Sequence, residues 1–104
     1  MKHKELYDLL KTLNIPVAYD HFSSDKYIEP PFLAYREIAA DTFKADNITY
    51  IKENNFEIEL VTSKKDVALQ KTIEDLLTEN KIPYDVGDEV WDSDEKIYHN
   101  YYEI

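Results

Sequence analysis

Twice in this sequence a leucine-rich stripe of helical spacing runs into an asparagine and then into Ile-Pro: "LLKTLNIPVAYD" and, further on, "LLTENKIPYDVG". Proline lacks the amide hydrogen that would continue a helix, and it drives the residue before it toward an extended conformation. Each copy therefore marks the end of a helix and the start of a strand. In the first, Leu6, Leu9, Leu10 and Leu13 recur at i, i+3, i+4 and i+7, the buried face of a helix over 3–13. Asn14 suits the left-handed position that closes a helix. In the second, Leu69, Ile73, Leu76 and Leu77 make the stripe, Ser63 or Asp66 supplies the N-cap, and Asn80 stands where Asn14 stood. Shared stop chemistry accounts for the likeness, since no longer repeat accompanies it.

The rest reads as strands. "IPVAYDHF" is a short one, and "FLAYREIA" is rich in β-formers. Over 48–62, Phe56, Ile58 and Leu60 alternate with Glu57 and Glu59, the period-two pattern of a strand with one face to the core and one to solvent. Ile48 and Tyr50 keep the parity of Phe56, with "KENN" between them as a bulge or a turn. "ADTFKADN" reads as a polar connection or a hairpin tip. "YDVGDEVW" and "EKIYHNYYEI", split by the turn-like "DSD" at 92–94, read as a terminal β-hairpin. On it Tyr98, Tyr102 and Ile104 share one face and Ile97, His99 and Tyr101 the other. The expected fold is α+β in the order α-β-β-β-α-β-β, a mainly antiparallel sheet with both helices on one face. At 104 residues it is expected to be one domain, 1–104.

Composition narrows function. With one glycine in the chain there is no glycine-rich phosphate loop, and with no cysteine there are no disulfides, thiolate metal sites or thiol nucleophiles. No apolar run approaches membrane-spanning length, and "MKHKELYDLLK" reads as an amphipathic helix and not a signal peptide. The net charge of −10 repels a phosphate backbone, so sequence-specific nucleic-acid binding is not expected. Such a charge serves solubility. It also suits a surface that imitates nucleic acid, or one past which nucleic acid slides.

Catalytic patterns are present only superficially. Asp20, His21 and Ser23 carry the side chains of a hydrolytic triad, but triads are assembled from distant segments around a nucleophile on a constrained, glycine-flanked turn. Ser and Asp here read as turn caps, and His21 as a strand-end residue. His3, His21 and His99 have no second ligand at metal spacing beyond carboxylates that abound by chance. Glu57 and Glu59 belong to the solvent side of a strand, and Asp92 and Asp94 bracket a turn. Neither pair has the apolar enclosure that separates two carboxyl groups into acid and base. No catalytic residue, cofactor or metal is expected.

Contact residues are better supported. Nine tyrosines are many for this length, and Tyr98, Tyr101 and Tyr102 cannot all face inward from one strand. Surface Tyr and Trp favour protein interfaces, and Trp91 beside "DSD" is a candidate. So is the loop Phe22 to Pro31. In it Tyr27 and Ile28 are apolar among polar neighbours, and Pro30 and Pro31 stiffen the exit. The alternative is that Tyr27 and Ile28 fold back onto the chain's own sheet.

"LNIPVAYDHF", "PPFLAY", "FEIELVTSKKD" before a helix, and "NKIPYDV", in this order along nearly the whole chain, resemble small tail-completion or tail-terminator proteins of long-tailed phages and prophages of Gram-positive bacteria. The resemblance implies an α+β subunit of a hexameric ring that caps the tail tube and joins it to the head. The major tail tube protein and a head-completion protein would be its partners, and DNA would pass without specific binding. It implies assembly in the bacterial host cytoplasm, residence in the virion tail, and no catalytic residues. "ADTFKADN" departs from the pattern in carrying lysine where similar chains carry small or polar residues. Two other classes compete: an acidic DNA-mimic inhibitor of a nucleic-acid enzyme, and a small regulatory enzyme domain.

Overall fold

A computed structural model describes residues 2–21, 27–38, 43–45, 48–50 and 55–104. Helix α1 spans His3–Lys11 and is followed by strands β1 (Val17–Tyr19), β2 (Phe32–Ile38), β3 (Phe43–Ala45), β4 (Ile48–Tyr50) and β5 (Asn55–Thr62). Helix α2 (Val67–Glu79) and strands β6 (Asp85–Asp92) and β7 (Ile97–Glu103) complete it. The class is α+β, and the expected order holds with one refinement. The segment between β2 and β5 contains a separate antiparallel pair, β3 with β4, in which Phe43 lies opposite Tyr50 and Ala45 opposite Ile48. "ADTFKADN" thus carries a hairpin strand, and the stretch expected as one long strand over 48–62 is two, β4 and β5. Most of "KENN" lies outside the described residues, so its bulge-or-turn alternative does too.

The main sheet has five strands in the order β1-β2-β5-β7-β6. β1 runs parallel to β2, and every other neighbouring pair is antiparallel. Alternation decides which side is buried. Leu33 and Tyr35 of β2, Phe56, Ile58 and Leu60 of β5, and Tyr102 of β7 point to one side, where Leu6 and Leu10 of α1 and Ile73 and Leu77 of α2 meet them in one core. Both helices therefore cover the same face. Burying eleven such residues at about 1.5–3 kcal/mol each is the main driving force of folding.

The helix ends behave chemically as their sequence dictates, with one correction. Asp66, and not Ser63, caps α2: its Oδ1 accepts from the Leu69 amide at 3.0 Å. Asn14 has φ 59°, the left-handed conformation expected of it. Asn80 does not, because the left-handed residue is its neighbour Lys81, with φ 58°. The Lys81 amide donates to the Thr78 carbonyl and the Ile82 amide to the Leu77 carbonyl, the pair of bonds that closes a Schellman motif. Asn80 instead turns its side-chain amide onto the Leu76 carbonyl at 2.8 Å. Ile82 is then delivered onto the core, next to the helix end it terminates.

The terminal hairpin forms as read. Asp92 pairs with Ile97, and Asp92 Oδ1 accepts from the Asp94 and Glu95 amides, so the "DSD" turn is held by its own first carboxylate. β6 also carries a bulge. Gly87 and Asp88 together face Tyr101, between the Val86–Tyr102 and Glu89–Asn100 pairs. A Cβ on Gly87 would lie 3.1 Å from the Tyr101 carbonyl oxygen, which accounts for the placement of the only glycine there.

Candidate protein interface

Among the described residues, the helices leave open the outer face of the sheet and its two edges. On the outer face Arg36 and Glu57, cross-strand partners in β2 and β5, make an ion pair at 3.1 Å. Glu59 lies 3.5 Å from His99 Nδ1 and accepts a hydrogen bond from Tyr101. Burial, helped by that bond, pushes the Tyr101 phenol up to about 12. Arg36, Glu57, Glu59 and Tyr101, with Asp20 and Ala34, line a shallow depression of about 290 Å³. The two glutamates expected on the solvent side of β5 are there, and each has an opposite or donating partner.

The Asp20–His21 pair is a surface contact, Oδ2 to Nδ1 at 3.0 Å, with both side chains more than half exposed. Ser23 lies outside the described residues. Among the described residues no three His, Asp or Glu side chains converge as a metal site.

The edges are more apolar. β6 is exposed along nearly its whole length, and Val86 (66%), Val90 and Trp91 (48%) stand out from it. Pairing of Val86 with Tyr102 and of Trp91 with Tyr98 puts Val86 and Trp91 on the helix side of the sheet. Trp91 rests on Tyr98 with ring centroids 4.5 Å apart. Glu89, on the same side, is held by Lys65, which precedes α2, at 3.3 Å and by the Gln70 side-chain amide of α2.

At the opposite edge, α1 and β1 enclose an aromatic cleft of about 310 Å³ lined by His3, Lys4, Tyr7, Val17, Tyr19 and Tyr35 among others. His3 and Tyr19 approach to 4.3 Å between centroids, and the Tyr35 hydroxyl shares a hydrogen bond with His3 Nε2 at 3.2 Å. Desolvation raises the Tyr35 phenol further above its ordinary range than its tyrosine neighbours do.

The contact residues read from sequence divide. Tyr27 is 85% exposed, whereas Ile28 and Pro30 are partly buried and Pro31 is exposed. The Pro30–Pro31 peptide bond is cis. Phe22 lies outside the described residues. Phe32, which follows this loop, shares a transverse row with Val61, His99 and Val90. The loop's exit and the Trp91 hairpin therefore lie at one end of the sheet, three strand spacings of about 4.8 Å apart. They are not one patch. The aromatic cleft and exposed Val86 were not singled out from sequence. The cleft unites segments about fifteen positions apart, and its only sequence signal is the unusual tyrosine content. No protein-family model matches the chain, and no curated protein matches it.

Proposed function

We propose that this protein is a structural subunit of phage virion assembly, a tail terminator or head–tail joining protein that forms a ring at the end of the tail tube. The observation carrying this reading is the run of packing and turn motifs from "LNIPVAYDHF" to "NKIPYDV" that resembles such subunits along nearly the whole chain. The α+β fold supports it, and so does the siting of the exposed apolar side chains of β6 at a sheet edge, where subunits can join. An acidic chain suits a ring that DNA traverses, since like charge prevents phosphates from adhering.

The DNA-mimic reading has less support. A mimic needs unpaired carboxylates in a phosphate-like array on one face. Here Glu57, Glu59 and Glu89 are each engaged by Arg36, by His99 and Tyr101, or by Lys65.

The test is to mix the protein with purified tail tubes and image the tube ends. Capped ends at saturating protein are expected. Ends that stay bare would overturn the tail role, and inhibition of a nuclease or restriction enzyme in a parallel assay would favour the mimic.

A further inference from the structure

Strand β6 sorts its side chains by chemistry. Pairing with β7 sets Asp85, Val90 and Asp92 on the outer face of the sheet, with Asp88 of the bulge beside Tyr101, and sets Val86, Glu89 and Trp91 on the helix side. On the helix side Glu89 is already engaged by Lys65 and Gln70, so what stays open there is apolar, Val86 and Trp91.

The outer side is acidic. A transverse row runs Arg36, Glu57, Glu103, Asp85, from β2 to the β6 edge. Arg36 pairs with Glu57 at one end. At the other, Glu103 and Asp85 stand directly opposite each other, a like-charge pairing that weakens a ladder. Asp85, Asp88 and Glu103 make no ion pair among the described residues. Glu57, Glu103 and Asp88 also line one depression of about 380 Å³ beside Gly87, with Arg36 as its single cation.

β6 ends the sheet, and no strand lies beyond it among the described residues. An open edge invites another strand, and the partner must suit it in charge as well as shape. A second β6 would set carboxylates against carboxylates on the outer side. The β1 edge of a second copy is three residues long and turns only Ala18 to that side. Neither edge of the chain's own sheet supplies the cation that the row lacks.

We infer that the β6 edge binds an extended segment of a different protein, one that alternates lysine or arginine with apolar residues. Paired with β6, such a segment sends its cations to the outer side, opposite Asp85 and Asp88. Its apolar side chains go to the helix side, against Val86 and Trp91. A cation there extends the row past Asp85 and offsets Glu103. Main-chain hydrogen bonds supply affinity, and the two rows of side chains supply selectivity. The carboxylates and the bulge, which blunt the edge against its own kind, thus favour this partner. In a tail, the protein joined at this edge would not be another copy of the chain.

The test uses capped synthetic peptides: one alternating lysine with valine, one of the same composition with lysines and valines in separate blocks, and one alternating glutamate with valine. Trp91, the only tryptophan, reports docking by its fluorescence. The alternating basic peptide is expected to shift the emission saturably and to bind several-fold tighter than the other two. It should also slow amide exchange in β6 and leave β1 unchanged, a reading that needs no variant. Asp85→Lys with Asp88→Lys should weaken binding several-fold more than Asp8→Lys with Glu37→Lys, the same charge change at exposed positions away from β6. Equal affinity for the block-ordered peptide, or equal loss in the two pairs of variants, would mean general attraction to an acidic chain and overturn the inference. So would protection of β1 in place of β6, or no binding at all. The outcome separates from that of the tail role: tubes capped by protein that ignores the peptides would sink this contact alone. Peptide binding with bare tubes would sink the tail role alone.

Discussion

The Tyr102 hydroxyl donates to Glu74 Oε2 at 3.1 Å, joining the inner strand β7 to the middle of α2 across the core. Glu74 also accepts from Tyr84 at 3.5 Å, so one carboxylate gathers two phenols from different strand ends. Burial first, and the nearby Glu74 charge second, push the Tyr102 phenol well above its ordinary value.

A dependence on alkaline pH follows. Both Tyr101 and Tyr102 are raised in the folded state, Tyr101 to about 12, while in the unfolded chain both titrate near 10. The unfolded state therefore loses protons first as pH rises. The stability tied to these groups is whole below about pH 10 and is lost as pH climbs through about 12. Urea midpoints measured from pH 8 to 12 should fall above 10, and Tyr101→Phe should flatten the fall. Tyr102→Phe at neutral pH should cost about 1–2 kcal/mol by removing a bond to a charged acceptor. A midpoint that stays level to pH 12 would refute the assignment.

Thr62 should tolerate, and gain from, the loss of its hydroxyl. It is buried, and its Oγ1 has no hydrogen-bond partner among the described residues. Thr62→Val replaces an unsatisfied polar atom with a methyl group of similar size. An increase of up to about 1 kcal/mol in unfolding free energy is expected from urea denaturation. A loss of that size would mean that the hydroxyl is engaged.

Gly87 tests the bulge. Alanine there meets the Tyr101 carbonyl oxygen at 3.1 Å and Tyr101 Cβ at 3.2 Å, tighter than ordinary contact. Because β6 is an edge strand it can yield outward, and the expected cost is about 1 kcal/mol. Amide exchange should quicken in β6 and leave β5 unchanged. Equal protection of β6 in both proteins would show that the close approach is not limiting.

Tyr27 and Ile28 part company. Tyr27→Ser should change stability by less than about 0.5 kcal/mol, as befits an exposed side chain. Ile28→Ser should cost more, because Ile28 is partly buried. If the loop is a contact, Tyr27→Ser alone should leave heads and tails unjoined while the melting temperature holds. A large loss of stability from Tyr27→Ser would place its ring against the chain's own surface in solution.

The elements legible in the sequence were those whose burial is periodic. Leu6 with Leu10, Ile73 with Leu77, and Phe56, Ile58 and Leu60 each announce an element and the face it buries. All are among the core residues. The β3–β4 pair was harder to read because its strands are three residues each, too short for a period to repeat. The left-handed residue was placed at Asn80 and lies at Lys81, since amide side chains can serve a helix end either by their backbone or by capping a carbonyl. The interface was the least legible part. Exposure of Val86 depends on β6 being outermost, and nothing in "YDVGDEVW" encodes strand order. The tyrosines of the cleft come from a helix and a strand whose meeting is a tertiary fact.

β7 is the last strand in chain order, yet it lies inside the sheet, between β5 and β6. During synthesis β5 therefore emerges with one side open, and its permanent neighbour is made some forty residues later, as the register of Ile58 with Tyr102 shows. Until residues 97–103 are released, the half-made sheet exposes Phe56, Ile58 and Leu60 beside an unpaired edge, a surface prone to the wrong neighbours. The sheet thus stays incomplete until β7 has been made. A chain cut short before β7 would keep that apolar edge open, as a partly folded species prone to aggregation or chaperone capture.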